Sequence, residues 1–438
     1  MSTANQLSLD LDSNNESDSI SERVKYSPIH VSESTFLAGL SVHIHRWFRL
    51  TPSFAPDLVR EMLHELNAEI GDYILDPFSG AGTTAIESAL EGFDSLGFEI
   101  NPFLYFVNRT SLNWSLDTES LQLHLSRILN DFYDSREKAS FETLEEFGYK
   151  IPPIHNPTRW WRPDILKDLL ALKQCIYKIK NQNECDFFRL ALAGVLVPDL
   201  TNVTLGRLQL HFINRDNDEI DVAEIFTKHT QQMIKDLCSV QKLPRLGSSK
   251  VFLQNSTNLS NVNLHKKVDC VITSPPYPNR YSYVWNTRPH LYMLDFISAA
   301  KEASSIDKET IGGTWGTATS ELSKGVFPPL NKAVEEAVGS TISAIREQDN
   351  LMANYAVHYF NRLTAHLIEL ERISSPNLRI AYVVGNSWLK GVYIETDVIL
   401  AEILDRLKLG YTINSVHRFR KRNSGKELFE SIVYASKS

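Results

Sequence analysis

The stretch Tyr73-Ile74-Leu75-Asp76-Pro77-Phe78-Ser79-Gly80-Ala81-Gly82-Thr83-Thr84 decides the fold that we predict for this chain. Its first three residues predict a strand, its two glycines predict a tight turn, and residues 84–90 predict a helix. Residues 95–98 predict a second strand, which ends at Glu99-Ile100-Asn101-Pro102. This order of strand, glycine turn, helix, strand and acid is typical of a nucleotide-binding βαβ unit.

The glycines and the acid indicate a ligand site at the end of these strands. Gly80 and Gly82 let the backbone approach a ligand closely, and the following helix offers free N–H groups. Glu99 stands 19 residues after Gly80, where a strand-end carboxylate can accept hydrogen bonds from both hydroxyls of a ribose. No Gly-Lys-Ser/Thr sequence follows, which argues against a P-loop for ATP. A phosphate site, a purely structural turn and a solvated acid stay open at this point.

A second unusual turn follows the apolar run at 268–272. It reads Thr273-Ser274-Pro275-Pro276-Tyr277, and its two prolines stop a strand abruptly and remove two backbone donors. Such a turn is rigid and presents carbonyls beside an aromatic ring. It suits gripping a flat group that carries an amino function, although the same residues could merely end a strand.

Composition narrows the class of protein. The 438 residues are 42% hydrophobic and 22% charged, as expected for a soluble globular protein with a large core. We find no apolar run of about 18 residues that would cross a membrane and no secretory signal. The four cysteines lack C-x-x-C spacing, so we predict no metal site, no disulfide framework and a cytoplasmic enzyme. The net charge of −8 argues against a protein that coats nucleic acid by charge alone, but local basic patches decide this question.

The two turns together resemble a known family. Residues 76–84, Asp-Pro-Phe-Ser-Gly-Ala-Gly-Thr-Thr, resemble the cofactor motif of S-adenosylmethionine-dependent DNA amino-methyltransferases, and Ser-Pro-Pro-Tyr at 274–277 resembles their catalytic motif. Residues 45–58 resemble the upstream segment that closes over the methionine part of the cofactor. Residues 254–259 are similar to the adenine-contacting segment, although Gln254 and Asn255 stand where Gly-Asp is usual. Residues 418–432 resemble the final hairpin beside the target-base pocket.

The resemblance implies S-adenosyl-L-methionine as cofactor and double-stranded DNA as substrate, with a cognate restriction endonuclease as a possible partner. The implied catalytic residues are Ser274, Pro275, Pro276 and Tyr277. The implied cofactor-binding residues are Thr51, Phe54, Asp76, Phe78, Ser79, Gly80, Gly82, Thr83, Thr84, Glu99, Ile100, Asn101, Asn255, Ser256 and Ser274. We expect DNA contacts from Arg280 and from the basic hairpin residues Arg418, Arg420, Lys421 and Arg422.

The expected reaction is methylation of an exocyclic amino group on a base flipped out of the duplex. Methylation at carbon 5 of cytosine needs a cysteine nucleophile after proline, and no Pro-Cys dipeptide occurs. Serine at position 274 favours N4 of cytosine, because within the family it is commoner among such enzymes, and N6 of adenine stays open. Two other functions compete with this one, namely an RNA or tRNA base methyltransferase and a non-catalytic DNA-binding protein.

The predicted fold is α/β, a Rossmann-like doubly wound mixed sheet with a C-terminal β-hairpin and a mainly helical insertion. Residues 1–30 are expected to form a disordered tail, 31–115 the cofactor-binding half of the core, and 246–438 the catalytic half with a mobile loop at 303–345. Residues 116–245 are the helical insertion and the candidate DNA-recognition region. It carries Arg159-Trp160-Trp161-Arg162 and Arg207, where the adjacent tryptophans fit DNA contact and core packing equally.

Overall fold

The computed structural model describes residues 20–28, 39, 41–136, 138, 140–206, 209–313, 317–423 and 427–437, without the side chains of residues 317, 318, 422, 423 and 427. Its strands are β1 Val24–Tyr26, β2 Tyr73–Asp76, β3 Asp94–Glu99, β4 Val203–Leu205, β5 Leu210–Phe212, β6 Ser249–Leu253, β7 Val268–Thr273, β8 Ser374–Gly385, β9 Ser387–Leu389, β10 Val392–Ile394, β11 Tyr411–Asn423 and β12 Glu427–Lys437.

Its helices are α1 Pro56–Glu65, α2 Thr83–Leu90, α3 Pro102–Ser111, α4 Thr118–Arg136, α5 Pro157–Trp160, α6 Pro163–Ile176, α7 Gln182–Leu196, α8 Val222–Val240, α9 Tyr283–Met293, α10 Ala300–Glu309, α11 Thr317–Lys324, α12 Lys332–Gln348, α13 Asn350–Leu370 and α14 Thr396–Arg406. Among the described residues, none of these helices combines the length and apolar content needed to cross a bilayer.

The central feature is an eight-stranded sheet in the order β1-β11-β12-β8-β7-β2-β3-β6. Strands β6, β3, β2, β7 and β8 run parallel to one another, and β12 is antiparallel to both of its neighbours. The strand order reverses beside β2, because β3 follows it on one side and β7 joins it on the other. In open α/β sheets, ligands bind at the carboxyl ends of the strands at such a switch point.

Both faces of the sheet are buried, which explains why its strands read as apolar runs rather than as alternating ones. Successive side chains point to opposite faces. Ile74 and Ile272 pack with helix α1 on one face, whereas Leu75 and Val271 pack with α12, α13 and α14 on the other. The predicted doubly wound mixed sheet and its C-terminal hairpin of β11 and β12 are therefore confirmed.

The insertion between α3 and β6 is mainly helical, as predicted, with helices α4 to α8 and one short ladder of β4 and β5. It does not have a core of its own. Ile86 of α2 and Phe106 of α3 belong to the same buried cluster as Phe187 of α7 and Phe226 of α8. The insertion therefore thickens one helical layer of the sheet.

Two segments predicted without regular structure contain strands or helices where the structure describes them, and their predicted disorder and mobility stay predictions. Within the predicted disordered tail 1–30, β1 pairs in parallel with β11 through Val24 and Val416, and the Arg23 guanidinium donates to the Ile413 carbonyl at 2.8 Å. Within the predicted loop 303–345, α11 and α12 form, and most of α10 lies there too. A free sheet edge explains the first difference, since its unpaired backbone groups accept another strand.

Candidate functional site

The carboxyl ends of four adjacent parallel strands meet at one cleft. Asp76 ends β2, Glu99 ends β3, Gln254 follows β6, and Ser274 follows β7. All four of these residues line the cleft. Its wall is formed by Pro52, Ser53, Phe54, Asp76, Pro77, Phe78, Ser79, Ala81, Thr83, Phe98, Glu99, Ile100, Asn101, Gln254, Asn255, Ser256, Ser274, Pro276, Tyr283, Glu309, Thr310 and Ile311. The switch point predicted by the topology therefore coincides with the residues chosen from the motifs.

The glycine turn is held tightly against helix α3. Gly82 has φ of 96°, and a Cβ at this position would lie 2.6 Å from the Asn108 side-chain oxygen. Asn108 donates to the Ser79 hydroxyl at 3.0 Å, which in turn donates to the Phe98 carbonyl at 3.1 Å. Gly80 also has a positive φ of 49°. The turn thus needs glycine at position 82 for both space and backbone conformation.

Glu99 is a buried acid with two backbone donors. One carboxylate oxygen accepts the Gly80 N–H and the other accepts the Asn101 N–H, both at 2.8 Å. Burial raises the pKa of Glu99 to about 7, although these hydrogen bonds to the ionised form act in the opposite direction. Each oxygen keeps further lone pairs for a ligand in the cleft.

Asp76 links the two turns. Its carboxylate accepts the Thr273 hydroxyl at 2.6 Å and the Phe78 N–H at 3.0 Å. Thr273 immediately precedes Ser274, so the acid at the end of β2 fixes the start of the second turn. Burial raises the pKa of Asp76 to about 6 despite these hydrogen bonds.

The Ser-Pro-Pro-Tyr turn is anchored from behind by helix α13. The Tyr359 hydroxyl donates to the Pro276 carbonyl at 2.8 Å, and both groups are buried. No described residue donates to the Pro275 carbonyl. The Ser274 and Tyr277 hydroxyl oxygens are 3.5 Å apart, which is longer than an ordinary O–H···O hydrogen bond. Ser274 and Pro276 of this turn line the cleft, whereas Pro275 and Tyr277 do not.

The upstream segment reaches the cleft through Phe54 and is tied down on both sides. His45 Nε2 lies 2.6 Å from the carboxylate of the buried Glu87 on α2. Trp47 Nε1 donates to Asp236 on α8 at 3.1 Å. Thr51, which the resemblance places at the cofactor, does not line the cleft, and its hydroxyl has no hydrogen-bond partner among the described residues.

Most of the residues expected at the cofactor line this cleft, but four do not. The four are Thr51, Gly80, Gly82 and Thr84. Thr84 is a structural residue, since its buried hydroxyl donates to the Ile272 carbonyl at 3.3 Å. Within the segment 254–259, the Asn255 side-chain oxygen accepts the Thr257 N–H at 3.0 Å.

Sequence reasoning missed one wall of the cleft, formed by Tyr283 and by residues 309–311. Residues 309–311 lie at the end of helix α10 and just after it. They belong to the segment that the sequence predicts as a mobile loop. No motif identifies these residues, because only the packing of α10 against the core brings them to the cleft.

The residues expected to contact DNA fall into two groups. Arg418 is bonded to Asp397 at 2.8 Å, and Arg420 pairs with Glu430 at 2.7 Å, so their charges are neutralised within the fold. Arg280 and Lys421 are exposed, whereas the side chain of Arg422 lies outside the described part of the chain. The hairpin thus carries internal ion pairs at Arg418 and Arg420, and DNA contact by the five expected residues stays a prediction.

The paired tryptophans of the insertion are core residues. Trp160 is 4% exposed and Trp161 is fully buried, which decides between the two interpretations left open by the sequence. Arg207 lies outside the described residues. Across the ranges that the structure describes, no group of three or more His, Cys, Asp or Glu side chains is placed to hold a metal ion.

Comparisons with known proteins agree with the motifs. A family described as DNA methylase matches residues 25–107. The Type II methyltransferase M.MvaI of Kocuria varians is 24% identical over 403 residues, which span 88% of this chain and 85% of the relative. The Type II methyltransferase M.BsoBI of Geobacillus stearothermophilus is 21% identical over 482 residues, which span 93% and 89%. The solved rRNA methyltransferase aviRa of Streptomyces viridochromogenes aligns over 91% of this chain and 92% of its own at 10% identity, with a TM-score of 0.31. The family match and the two Type II relatives support the resemblance of this chain to the DNA amino-methyltransferase family.

Proposed function

We propose that the protein transfers a methyl group from S-adenosyl-L-methionine to the exocyclic amino group of a flipped base in double-stranded DNA, with N4 of cytosine as the preferred target. One observation carries the proposal: Glu99 and Ser274 line the same cleft. The nucleoside part of the cofactor, bound by Glu99, and the target base, bound by the turn at Ser274, would therefore lie in the same cleft.

The described residues fit the cofactor. Glu99 would accept the ribose hydroxyls, because its carboxylate lines the cleft and keeps lone pairs beyond those that accept the Gly80 and Asn101 N–H groups. The glycine turn and Phe54 would hold the methionine part, and Asn255 and Ser256 would border the adenine. When bound, the cofactor supplies an electrophilic methyl group on a sulfonium sulfur. We accordingly assign cofactor binding to residues 31–115 and catalysis to residues 246–438.

Ser274 and Pro275 would orient the amino group of the base. The lone pair of such a nitrogen is delocalised into the ring, so the group attacks only when its two N–H bonds are turned away from the methyl donor. The Ser274 oxygen and the Pro275 carbonyl are available to accept these two N–H groups, since the Pro276 carbonyl is occupied by Tyr359. Tyr277 would stack on the base, and the methylated amino group would release one proton to Ser274 or to water. Orientation of this kind can supply about 7–11 kcal/mol.

Tritiated methyl transfer tests the proposal, with unmethylated duplex DNA and tRNA as parallel substrates. We expect label in DNA only, and mass analysis of the digested nucleosides then distinguishes N4-methylcytosine from N6-methyladenine. Label confined to tRNA would favour an RNA base methyltransferase, and label in neither would favour a DNA-binding protein without catalysis.

The roles in the second turn are tested by substitution. Ser274→Ala and Tyr277→Ala should each abolish transfer and leave cofactor affinity nearly unchanged, because neither replaces the acid or the glycines. Ser126→Ala is the matched control, since Ser126 is exposed on α4. Full activity in both turn variants would remove the mechanism.

The names of the relatives also support a role in restriction-modification, with a cognate restriction endonuclease as partner. Plasmid DNA modified by the protein should resist a nuclease activity in extracts of the source cells, whereas unmodified plasmid should be cut. Equal cutting of both plasmids would count against such a partner.

A further inference from the structure

A row of arginines and aromatic rings connects helix α9 to the helical insertion. The Arg288 guanidinium carbon lies 3.5 Å from the ring centre of Trp285 and 5.1 Å from that of Trp160. The Trp160 ring centre is 5.0 Å from that of Phe212 on β5, and the Arg159 guanidinium lies 3.9 Å from the Phe212 ring centre. We call these five residues the arginine–aromatic row.

The two cations of the arginine–aromatic row have no acidic partner among the described residues. The Arg288 Nε atom is buried and has no hydrogen-bond partner there, and burial lowers the pKa of Arg288 to about 10. The contrast with Arg162 is clear, because Arg162 pairs with Asp164 at 2.6 Å and donates to the Arg215 carbonyl. Partial burial of a cation without a counter-ion costs free energy. In a chain of net charge −8, this arrangement points to an anion that is supplied from outside.

The aromatic contacts favour phosphate as that anion. Rings stacked against the face of a guanidinium hold it in one orientation and leave its in-plane N–H groups to make paired hydrogen bonds. Two oxygens of one phosphate group can accept such a pair of parallel N–H hydrogen bonds. Phe212 is 40% exposed and Arg159 is exposed, so the far end of the row is open to a large ligand.

The position of the row relates it to the cleft. Tyr283, the first residue of α9, lines the cleft, and Arg288 lies five residues further along this helix. At about 1.5 Å per residue the two positions differ by roughly 7–8 Å along the helix axis. Phosphates of one DNA strand are spaced about 3.4 Å along the duplex axis. At 3.6 residues per turn, five residues also rotate the side-chain direction by about 140°, so Arg288 faces a different side of α9 from Tyr283, and the two positions are related by their short separation along the helix.

We infer that the arginine–aromatic row binds the phosphate backbone of the DNA next to the flipped base. This inference rests on the proposed function, because it takes DNA as the substrate. The row contributes affinity and orientation but no sequence preference, since phosphate contacts are the same at every base pair. It assigns to Arg288 and Arg159 the role that the sequence had suggested for Arg418 and Arg420.

Salt dependence of DNA affinity tests the inference. The full-length protein and its Arg288→Gln and Arg159→Gln variants are titrated with a short unmethylated DNA duplex over a series of KCl concentrations. Each lost phosphate contact should reduce the slope of log affinity against log salt by about 0.9. Because Arg159 is exposed, its replacement should not disturb folding. The Arg159→Gln variant therefore still tests the inference if Arg288→Gln fails to fold. Arg406→Gln is the matched control, because Arg406 on α14 pairs with Glu336 and Glu402.

The outcomes separate this inference from the proposed function. If both variants keep the wild-type salt slope and the wild-type protein transfers methyl groups to DNA, phosphate binding by the arginine–aromatic row is refuted and the proposed methyltransferase function stands. Reduced slopes without any methyl transfer by the wild-type protein would keep the phosphate surface and reject the methyltransferase. Reduced slopes with an RNA duplex and not with DNA would overturn the choice of DNA. Unchanged affinity for S-adenosyl-L-methionine in both variants is expected, because neither residue lines the cleft.

Discussion

Replacement of Glu99 by glutamine gives the sharpest test of the cofactor site. In the wild-type protein the carboxylate must be ionised to accept two backbone N–H groups and the ribose hydroxyls together. Its pKa of about 7 in the cleft means that this form is lost as the pH falls below about 7. Affinity for S-adenosyl-L-methionine should therefore fall about tenfold, or 1.36 kcal/mol, for each pH unit below that point.

Glu99→Gln changes both the affinity and its pH dependence. The amide places an NH₂ group where one oxygen now accepts Gly80 N–H or Asn101 N–H, so one backbone donor loses its acceptor. The same NH₂ group also removes a charged acceptor from one ribose hydroxyl, and loss of a hydrogen bond to a charged group costs about 1.5–3 kcal/mol, which corresponds to roughly 10- to 160-fold weaker binding at pH 8. The step near pH 7 should disappear, and a smaller one near pH 6 should persist because the pKa of Asp76 is about 6.

Isothermal titration of the cofactor between pH 5.5 and 8.5, an interval chosen to bracket the two pKa values at about 6 and 7, measures both effects. Glu65→Gln is the control, since Glu65 is an exposed acid at the end of α1. A Glu99→Gln protein with the wild-type affinity and the wild-type pH profile would refute the assignment of Glu99 as the ribose acceptor.

The same pKa has a consequence for the free protein. Because the folded pKa is about 7 and the ordinary value is 4.5, the unfolded chain ionises first as the pH rises. The contribution of Glu99 to the free energy of unfolding is thus fully present below about pH 4.5 and is lost as the pH rises to about 7. Urea unfolding should show this loss in the wild-type protein, and Glu99→Gln should remove it. A loss of equal size in the variant would contradict this origin.

Three further predictions concern the supports of the cleft. Tyr359→Phe should cost about 1–3 kcal/mol in urea unfolding, because it leaves the buried carbonyl of the second proline without its donor, and should lower kcat more than it raises the KM for the cofactor. Tyr434→Phe is the control, because the Tyr434 hydroxyl has no hydrogen-bond partner among the described residues; equal losses would argue against the anchor. Gly82→Ala should destabilise the protein more than Gly410→Ala. Both glycines have a positive φ, which costs an alanine about 1–2 kcal/mol, but of the two only Gly82 would bring a Cβ within 4 Å of a side chain. Equal shifts of the melting temperature in the two variants would contradict the close approach. His45→Ala should weaken cofactor binding and leave DNA affinity unchanged, because it frees the segment that carries Phe54 from α2; an unchanged cofactor affinity by titration calorimetry would rule out this role.

The parts of the fold that the sequence predicts well are those set by local chemistry. The βαβ unit from β2 to β3 is specified by an apolar strand, two glycines with positive φ, and an acid at a strand end. The site residues within this unit could be named because strand order brings their positions to one edge. The wall formed by Tyr283 and residues 309–311 could not be named, because it depends on how α9 and α10 pack.

The helices within residues 303–345 had a signal in the sequence that the composition of the segment concealed. Glycines and serines around residues 312–316 suggest a loop, but Val334, Val338, Ile342 and Ile345 recur at intervals of four, four and three residues. This spacing is that of an amphipathic helix, and all four side chains are buried in α12. The periodicity should have outweighed the composition of the preceding stretch.

The two ion pairs of the hairpin differ in how far the sequence predicts them. Arg420 stands opposite Glu430 in the β11–β12 ladder, and this cross-strand pair could be predicted from the hairpin alone. The bond from Arg418 to Asp397 joins β11 to the start of α14, and no local pattern announces it. A cluster of basic residues in a sequence therefore indicates a nucleic-acid surface only after its internal partners are known.

The position of the insertion follows from the topology of the sheet. A parallel neighbour of β3 requires a crossover that returns to the same edge, and the insertion between α3 and β6 is this crossover enlarged. Its helices pack into an existing helical layer, so its length does not disturb the strand ends. Asp236 of α8 accepts hydrogen bonds from Trp47 Nε1 and from Arg46 Nε at 2.9 Å. The segment that carries Phe54 to the cleft is thus attached to the insertion, and the insertion also supplies Arg159, Trp160 and Phe212 of the arginine–aromatic row.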